Sequence, residues 1–146
     1  MATRPSDFEG MDQANAVWDF IMGDGPFFHN RLILIKNSFD TFSEWGITPN
    51  FFILIRGKAT KFVAKSLSGT AFSEESIAEL SDIHSVLDEL NDVGVRIGVC
   101  KGALAKSSIS EDNVASFASP EDYAIEVCIA LQNKGYAYMR IDAKPA

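Results

Sequence analysis

The chain has 146 residues, 47% of them hydrophobic and 23% charged, which is the balance of one soluble globular domain with a buried core. A formal charge of −7 and a pI near 4.7 argue against broad nucleic-acid binding, which needs a basic face, and no apolar run is long enough to span a bilayer. Two cysteines, Cys100 and Cys128, are too few for a disulfide scaffold, and the amino-terminal residues lack the apolar stretch of a secretion signal, so a cytoplasmic protein with reduced thiols is expected.

Residues 1–13 read as a loose tail, 14–142 as a single α/β domain and 143–146 as a second tail. Ala16 to Met22 is a short apolar run ended by Gly23-Asp24-Gly25-Pro26, which predicts a strand and a turn. Pro26 suits the first position of a helix, and Phe28, Leu32, Ile35, Phe39 and Phe42 recur at helical spacing up to Gly46. Phe51 to Ile55 (FFILI) reads as a strand buried on both faces.

A short helix is expected over Lys58 to Leu67, then a loop at Ser68-Gly69-Thr70. Ser73-Glu74-Glu75-Ser76 has the chemistry of a helix start, and Ile77, Leu80, His84, Leu87 and Asn91 share one helical face, with Ile83 and Leu90 beside it. Gly94 ends this helix. Val95 to Val99 is the next strand and Val114 to Phe117 a shorter one. Ser119-Pro120-Glu121-Asp122 offers an N-cap, a first-turn proline and acids that favour a helix N-terminus. Ile125, Cys128, Ile129 and Gln132 share a face of that helix, Gly135 closes it, and Tyr136 to Ile141 is a final strand. Strands alternating with helices, joined by connections too long for hairpins, predict βαβ units. The result is a three-layer α/β/α fold with a mostly parallel five-stranded sheet. Ligands of such sheets collect at the carboxyl ends of the strands.

Cys100 stands at one such end, directly after Val95 to Val99 and before Lys101-Gly102-Ala103-Leu104. A neighbouring ammonium and a chain turning into a helix both favour the reactive thiolate, although a cysteine at a strand end is often mere packing. Cys128, between Ile125 and Ile129, reads as core, and no CxxC spacing is present. Arg56, Lys58, Lys61 and Lys65 fall within ten residues, and Lys101 and Lys106 follow the other strand end. If the two ends share one sheet edge, they form a cationic patch around Cys100, with Arg56, Gly57, Lys58, Lys101 and Gly102 as the candidate anion-binding residues. The alternative is a solvated lysine face.

Other chemistries find little support. Gly23-Asp24-Gly25 lacks the third glycine of a dinucleotide loop, and neither a P-loop nor a GxSxG elbow is present. His29 and His84 are the two imidazoles. They lack ligand spacing with the cysteines, so no metal and no cofactor is expected. The acidic pairs Glu74-Glu75, Glu111-Asp112 and Glu121-Asp122 fit helix starts better than acid–base catalysis.

Gly94-Val95-Arg96-Ile97-Gly98-Val99-Cys100-Lys101-Gly102-Ala103-Leu104 resembles the cysteine segment of the DsrE/DsrF-like family, which includes the TusD-type sulfur-relay proteins. Arg56-Gly57-Lys58-Ala59 matches a strand ending in glycine, Asn37 a common first-helix asparagine, and Leu131-Gln132-Asn133-Lys134-Gly135-Tyr136-Ala137-Tyr138 is similar to the close of one branch. The resemblance implies a three-layer domain assembling into trimers or hexamers. It also implies a cysteine, here Cys100, that accepts sulfane sulfur as a persulfide and passes it to a partner thiol. Ala105-Lys106-Ser107 departs from the Arg-Arg-Gly of several relay members. Two other readings stand beside this one: an oligomeric small-anion-binding protein with an incidental cysteine, and a thiol redox sensor. Nucleic acid and membrane are not expected partners; a sulfur donor or acceptor protein is.

Overall fold

The computed structural model describes residues 3–141. Five strands form one sheet: β1 (Gln13–Phe20), β2 (Thr48–Ile55), β3 (Arg96–Cys100), β4 (Ser119–Glu121) and β5 (Ala137–Ile141). Their order is β4-β3-β2-β1-β5, and every neighbouring pair is parallel. Four α-helices connect them: α1 (Gly25–Glu44), α2 (Leu80–Asp92), α3 (Lys101–Lys106) and α4 (Ala124–Asn133). The expected α/β class and parallel five-stranded sheet are therefore present.

The centre of the sheet follows from β2. Phe51 to Ile55 are all buried, because side chains alternate between two covered faces. Phe51, Ile53 and Ile55 pack with Phe28, Leu32 and Ile35 of α1 and with Ile83, Leu87 and Leu90 of α2. Phe52 and Leu54 face the other way, against Val17, Ala124 and Cys128 under α4. Helix α1 starts where predicted. Asp24 accepts a hydrogen bond from the Phe27 N–H at 2.9 Å, Pro26 occupies the first turn, and Gly46 (φ +75°) follows the end. Tight approach of β2 and β4 to β3 requires Gly98. A Cβ there would lie 2.9 Å from Cε1 of Phe52 and 2.8 Å from Cγ of Glu121.

Four local expectations are corrected. The helix over Lys58 to Leu67 is a 3-10 turn at Gly57–Val63 that continues as irregular chain. Ala59 to Val63 are all buried between sheet and α2, so the lysine period does not mark a solvated face; Lys61 points inward. The helix start at Ser73 to Ser76 is loop. Glu75 leaves the helical path to bind Lys61, and α2 begins only at Leu80. Val114 to Phe117 is not a sheet strand: Val114 makes a single antiparallel bridge to Ala64. The strand is instead Ser119–Glu121, where a helix cap is predicted. Pro120 fits there because β4 is an edge strand, where a missing N–H is tolerated.

The tail also differs. Arg4 donates to the carbonyls of Phe8, Met11 and Trp45, and Phe8 stacks on Trp45 with centroids 4.7 Å apart. Arg4 and Phe8 thus tie this largely exposed segment to the carboxyl-terminal end of α1. The second predicted tail, 143–146, lies outside the described residues.

His84 on α2 donates its Nε2–H to the Phe62 carbonyl at 2.8 Å and meets Phe117 edge-on. Burial lowers its pKa below the ordinary 6.5, only partly opposed by the bond to Phe62. The folded protein thus binds this proton less readily than the unfolded chain does. Its contribution is complete above about pH 6.5 and is lost as pH falls through the lower folded value. Urea midpoints at about pH 7.5 and pH 5.5 should therefore fall more for the wild type than for His84→Gln. An equal fall in both proteins would assign the acid sensitivity elsewhere.

Candidate functional site

Cys100 is the last residue of β3 and immediately precedes α3, where the chain leaves the sheet. Gly98 pairs with Leu54, so alternation puts Cys100 on the α4 face, and it packs beside the cluster containing Leu54 and Cys128. It remains half-buried. A cleft of about 490 Å3 opens over it, lined by Arg56, Gly57, Lys58, Cys100, Gly102 and Lys106 among others. Phe72 and Ile125 give it apolar walls. Three cations line this cleft and, among the described residues, no carboxylate does, in a chain whose net charge is −7. Among the described residues, neither Lys58 nor Lys106 has an ion-pair partner.

The glycines shape the cleft. Gly57 has φ +59°, and a Cβ there would press to 3.0 Å of the Ile21 carbonyl oxygen, so the turn after β2 needs glycine. A Cβ at Gly102 would lie 3.7 Å from the Cys100 Sγ, so the absent side chain keeps one side of the sulfur uncovered. Of the candidate anion-binding residues, Arg56, Gly57, Lys58 and Gly102 meet Cys100 in this cleft. Lys101 does not. Its Nζ turns to Asp122 at 3.0 Å and Glu111 at 3.9 Å, and the bond to Asp122 raises its pKa. The cationic charge around Cys100 therefore comes from Arg56, Lys58 and Lys106, the last at the far end of α3, rather than from the adjacent lysine.

Adjoining the cleft is a second cavity of about 230 Å3, which shares Arg56 and Ile125 with the first and adds Asp19, Cys128, Gln132 and Tyr138. Burial pushes the Cys128 thiol up, and its Sγ accepts a 3.5 Å hydrogen bond from Gln132. Asp19 and Tyr138 are the residues the sequence reading misses. The signal was an aspartate inside the apolar run Ala16 to Met22, since a carboxylate on a buried strand requires a partner.

A family model described as the DsrE/DsrF-like family matches residues 20–141. The chain belongs to this family. The DsrE-like fold is also that of a protein of unknown function from Methanobacterium thermoautotrophicum, with a TM-score of 0.65 and 16% identity over 88% of this chain and 99% of that one. A conserved protein of unknown function from Bacteroides thetaiotaomicron gives a TM-score of 0.57 and 15% identity, covering 89% and 95%. At such identities the likeness is one of fold. No curated protein sequence matches the chain significantly. Among the described residues no helix is long and apolar enough to cross a membrane, and no cluster of His, Cys, Asp and Glu could hold a metal ion.

Proposed function

We propose that this DsrE-like protein is an intracellular sulfur relay in which Cys100 carries one sulfane sulfur. The observation that carries the reading is the cationic cleft over a half-buried Cys100 at the end of β3. In the relay, the Cys100 thiolate attacks the outer sulfur of a donor persulfide. The donor S–S bond breaks, and the donor leaves as thiolate with the electron pair. An acceptor thiolate then attacks the terminal sulfur of the Cys100 persulfide and releases the Cys100 thiolate. Lys58, Lys106 and Arg56 offset the negative charge on sulfur during both displacements.

Loading the protein with a sulfurtransferase and a sulfur source tests this. Intact mass should rise by one sulfur atom in the wild type and in Cys128→Ser, and not in Cys100→Ser. No gain in the wild type, or an equal gain after Cys100→Ser, would end the relay reading.

A homo-oligomer accompanies this function. Its support is the surface of α4 and the same face of β5, which leaves Tyr123, Ile125, Ile129 and Tyr138 exposed. The face predicted to carry Ile125, Cys128, Ile129 and Gln132 is exposed at both isoleucines, and α4 buries only Ala124 and Cys128. A second reading, binding of a small anion without sulfur transfer, is favoured by the two unpaired lysines of the cleft. It predicts an unchanged anion affinity after Cys100→Ser.

A further inference from the structure

We propose that Arg56 is the oxyanion anchor of the Cys100 cleft, held in place by Asp19 and Tyr138 as positioning residues. The compound admitted to Cys100 then carries a carboxylate or sulfonate group. This rests on the reading of the cleft as the place where Cys100 reacts.

Asp19 is 2% exposed, on β1 between Trp18 and Phe20. A carboxylate buried there is tolerated only if its oxygens are engaged. Both are. Oδ1 accepts from Arg56 Nε at 2.9 Å, and Oδ2 accepts from Arg56 Nη2 at 2.9 Å and from the Tyr138 hydroxyl at 2.5 Å. Three strands of the sheet thus contribute one group each: β1 the acid, β5 the phenol, and the end of β2 the guanidinium.

The orientation decides what is left over. A guanidinium has five N–H donors, and Asp19 takes one from Nε and one from Nη2. Both hydrogens of Nη1 and the second of Nη2 remain; the Tyr138 hydroxyl also interacts with the guanidinium, and among the described residues Nη1 makes no hydrogen bond. One hydrogen on each of these two nitrogens points along the same edge, a fork matched to two oxygens of one anion. Asp19 and Tyr138 line the second cavity and not the cleft, whereas Arg56 lines both. Asp19 and Tyr138 hold the guanidinium from the side of the second cavity, which leaves its Nη1 hydrogens for an anion in the cleft of Cys100. Lys58 and Lys106 supply charge there without a fixed direction. Arg56 supplies direction, because its rotamer is settled before a ligand arrives.

A sign test separates positioning from simple charge. Removing the Asp19 charge makes the site more positive. A long-range field alone would then speed reaction of Cys100 with an anionic reagent, whereas loss of the clamp slows it. The experiment measures alkylation of Cys100, resolved by peptide mass, with iodoacetate, 2-bromoethanesulfonate and neutral iodoacetamide. Asp19→Asn and Arg56→Lys should each lower the iodoacetate-to-iodoacetamide ratio by about three- to tenfold, and Tyr138→Phe by about two- to threefold, as expected for loss of charge-assisted hydrogen bonds. The ratio cancels any change in the Cys100 thiolate population, which alters both rates alike, so a shift in the iodoacetamide rate by itself does not count for or against the clamp. Whichever anionic reagent shows the larger loss identifies the preferred group, carboxylate or sulfonate. A ratio that rises in Asp19→Asn, or one that does not change in Tyr138→Phe, overturns the proposal; the second variant decides if the first does not fold. Anion selectivity without sulfur loading supports the clamp and rejects the relay. Sulfur loading without selectivity does the reverse.

Discussion

Replacing Phe28 with alanine is expected to cost about 3–5 kcal/mol of folding stability. Phe28 is fully buried on α1. Its ring lies 4.6 Å from that of Phe20 on β1 and 4.4 Å from that of Phe62 in the 3-10 turn. Truncation removes two aromatic contacts as well as buried area, and the cavity cannot close, because its walls are a strand, a helix and a turn held by separate hydrogen bonds. Urea unfolding followed by far-ultraviolet circular dichroism checks it. A loss below about 1.5 kcal/mol would mean that the three elements do not form one rigid stack. Because the turn that carries Phe62 also carries Gly57 and Lys58, the Cys100 cleft should loosen in the same variant.

The second large effect concerns Lys61 and Glu75. Lys61 is 6% exposed, and its Nζ lies 2.6 Å from Glu75 Oε1 and 5.4 Å from the rings of both Phe62 and Phe72. Glu75→Ala leaves an ammonium in an apolar pocket without its counter-ion. Loss of a fully buried partner typically costs several kcal/mol; water reaches Glu75, so about 1–3 kcal/mol is expected here. Lys61→Met removes the charge and keeps the volume, and should lie within about 1 kcal/mol of the wild type. The double variant should regain most of the stability lost in Glu75→Ala, which a double-mutant cycle in urea reads directly. Additive losses would show that the two side chains act independently and that Glu75 does not tether the loop before α2.

Much of the site was legible before the fold. Cys100 follows an apolar strand and precedes a glycine, and lysines cluster after two strand ends. Parallel strands bring those ends to one edge, so the grouping of Arg56, Gly57, Lys58, Cys100 and Gly102 follows from topology. Lys101 shows the limit. Adjacency in sequence does not settle where a long flexible side chain turns, and two acids on separate segments, Glu111 and Asp122, draw it away. Asp19 shows the opposite case. Its position inside an apolar strand announced a partner, but that partner lies 37 residues away, and the tyrosine that completes the network 119 residues away.

The sequence by itself determined the class of fold, the alternation of its main strands and helices, and the cysteine with its glycine neighbours. These rest on local periodicity and on backbone conformations that only certain residues permit. Tertiary structure decided which segments near 58–79 and 114–122 became turn, loop or strand, because burial on all sides and long-range ion pairs override local propensity. It also decided the direction of Arg56. A guanidinium can face many ways from the end of a strand, and only a buried carboxylate contributed by another strand selects one.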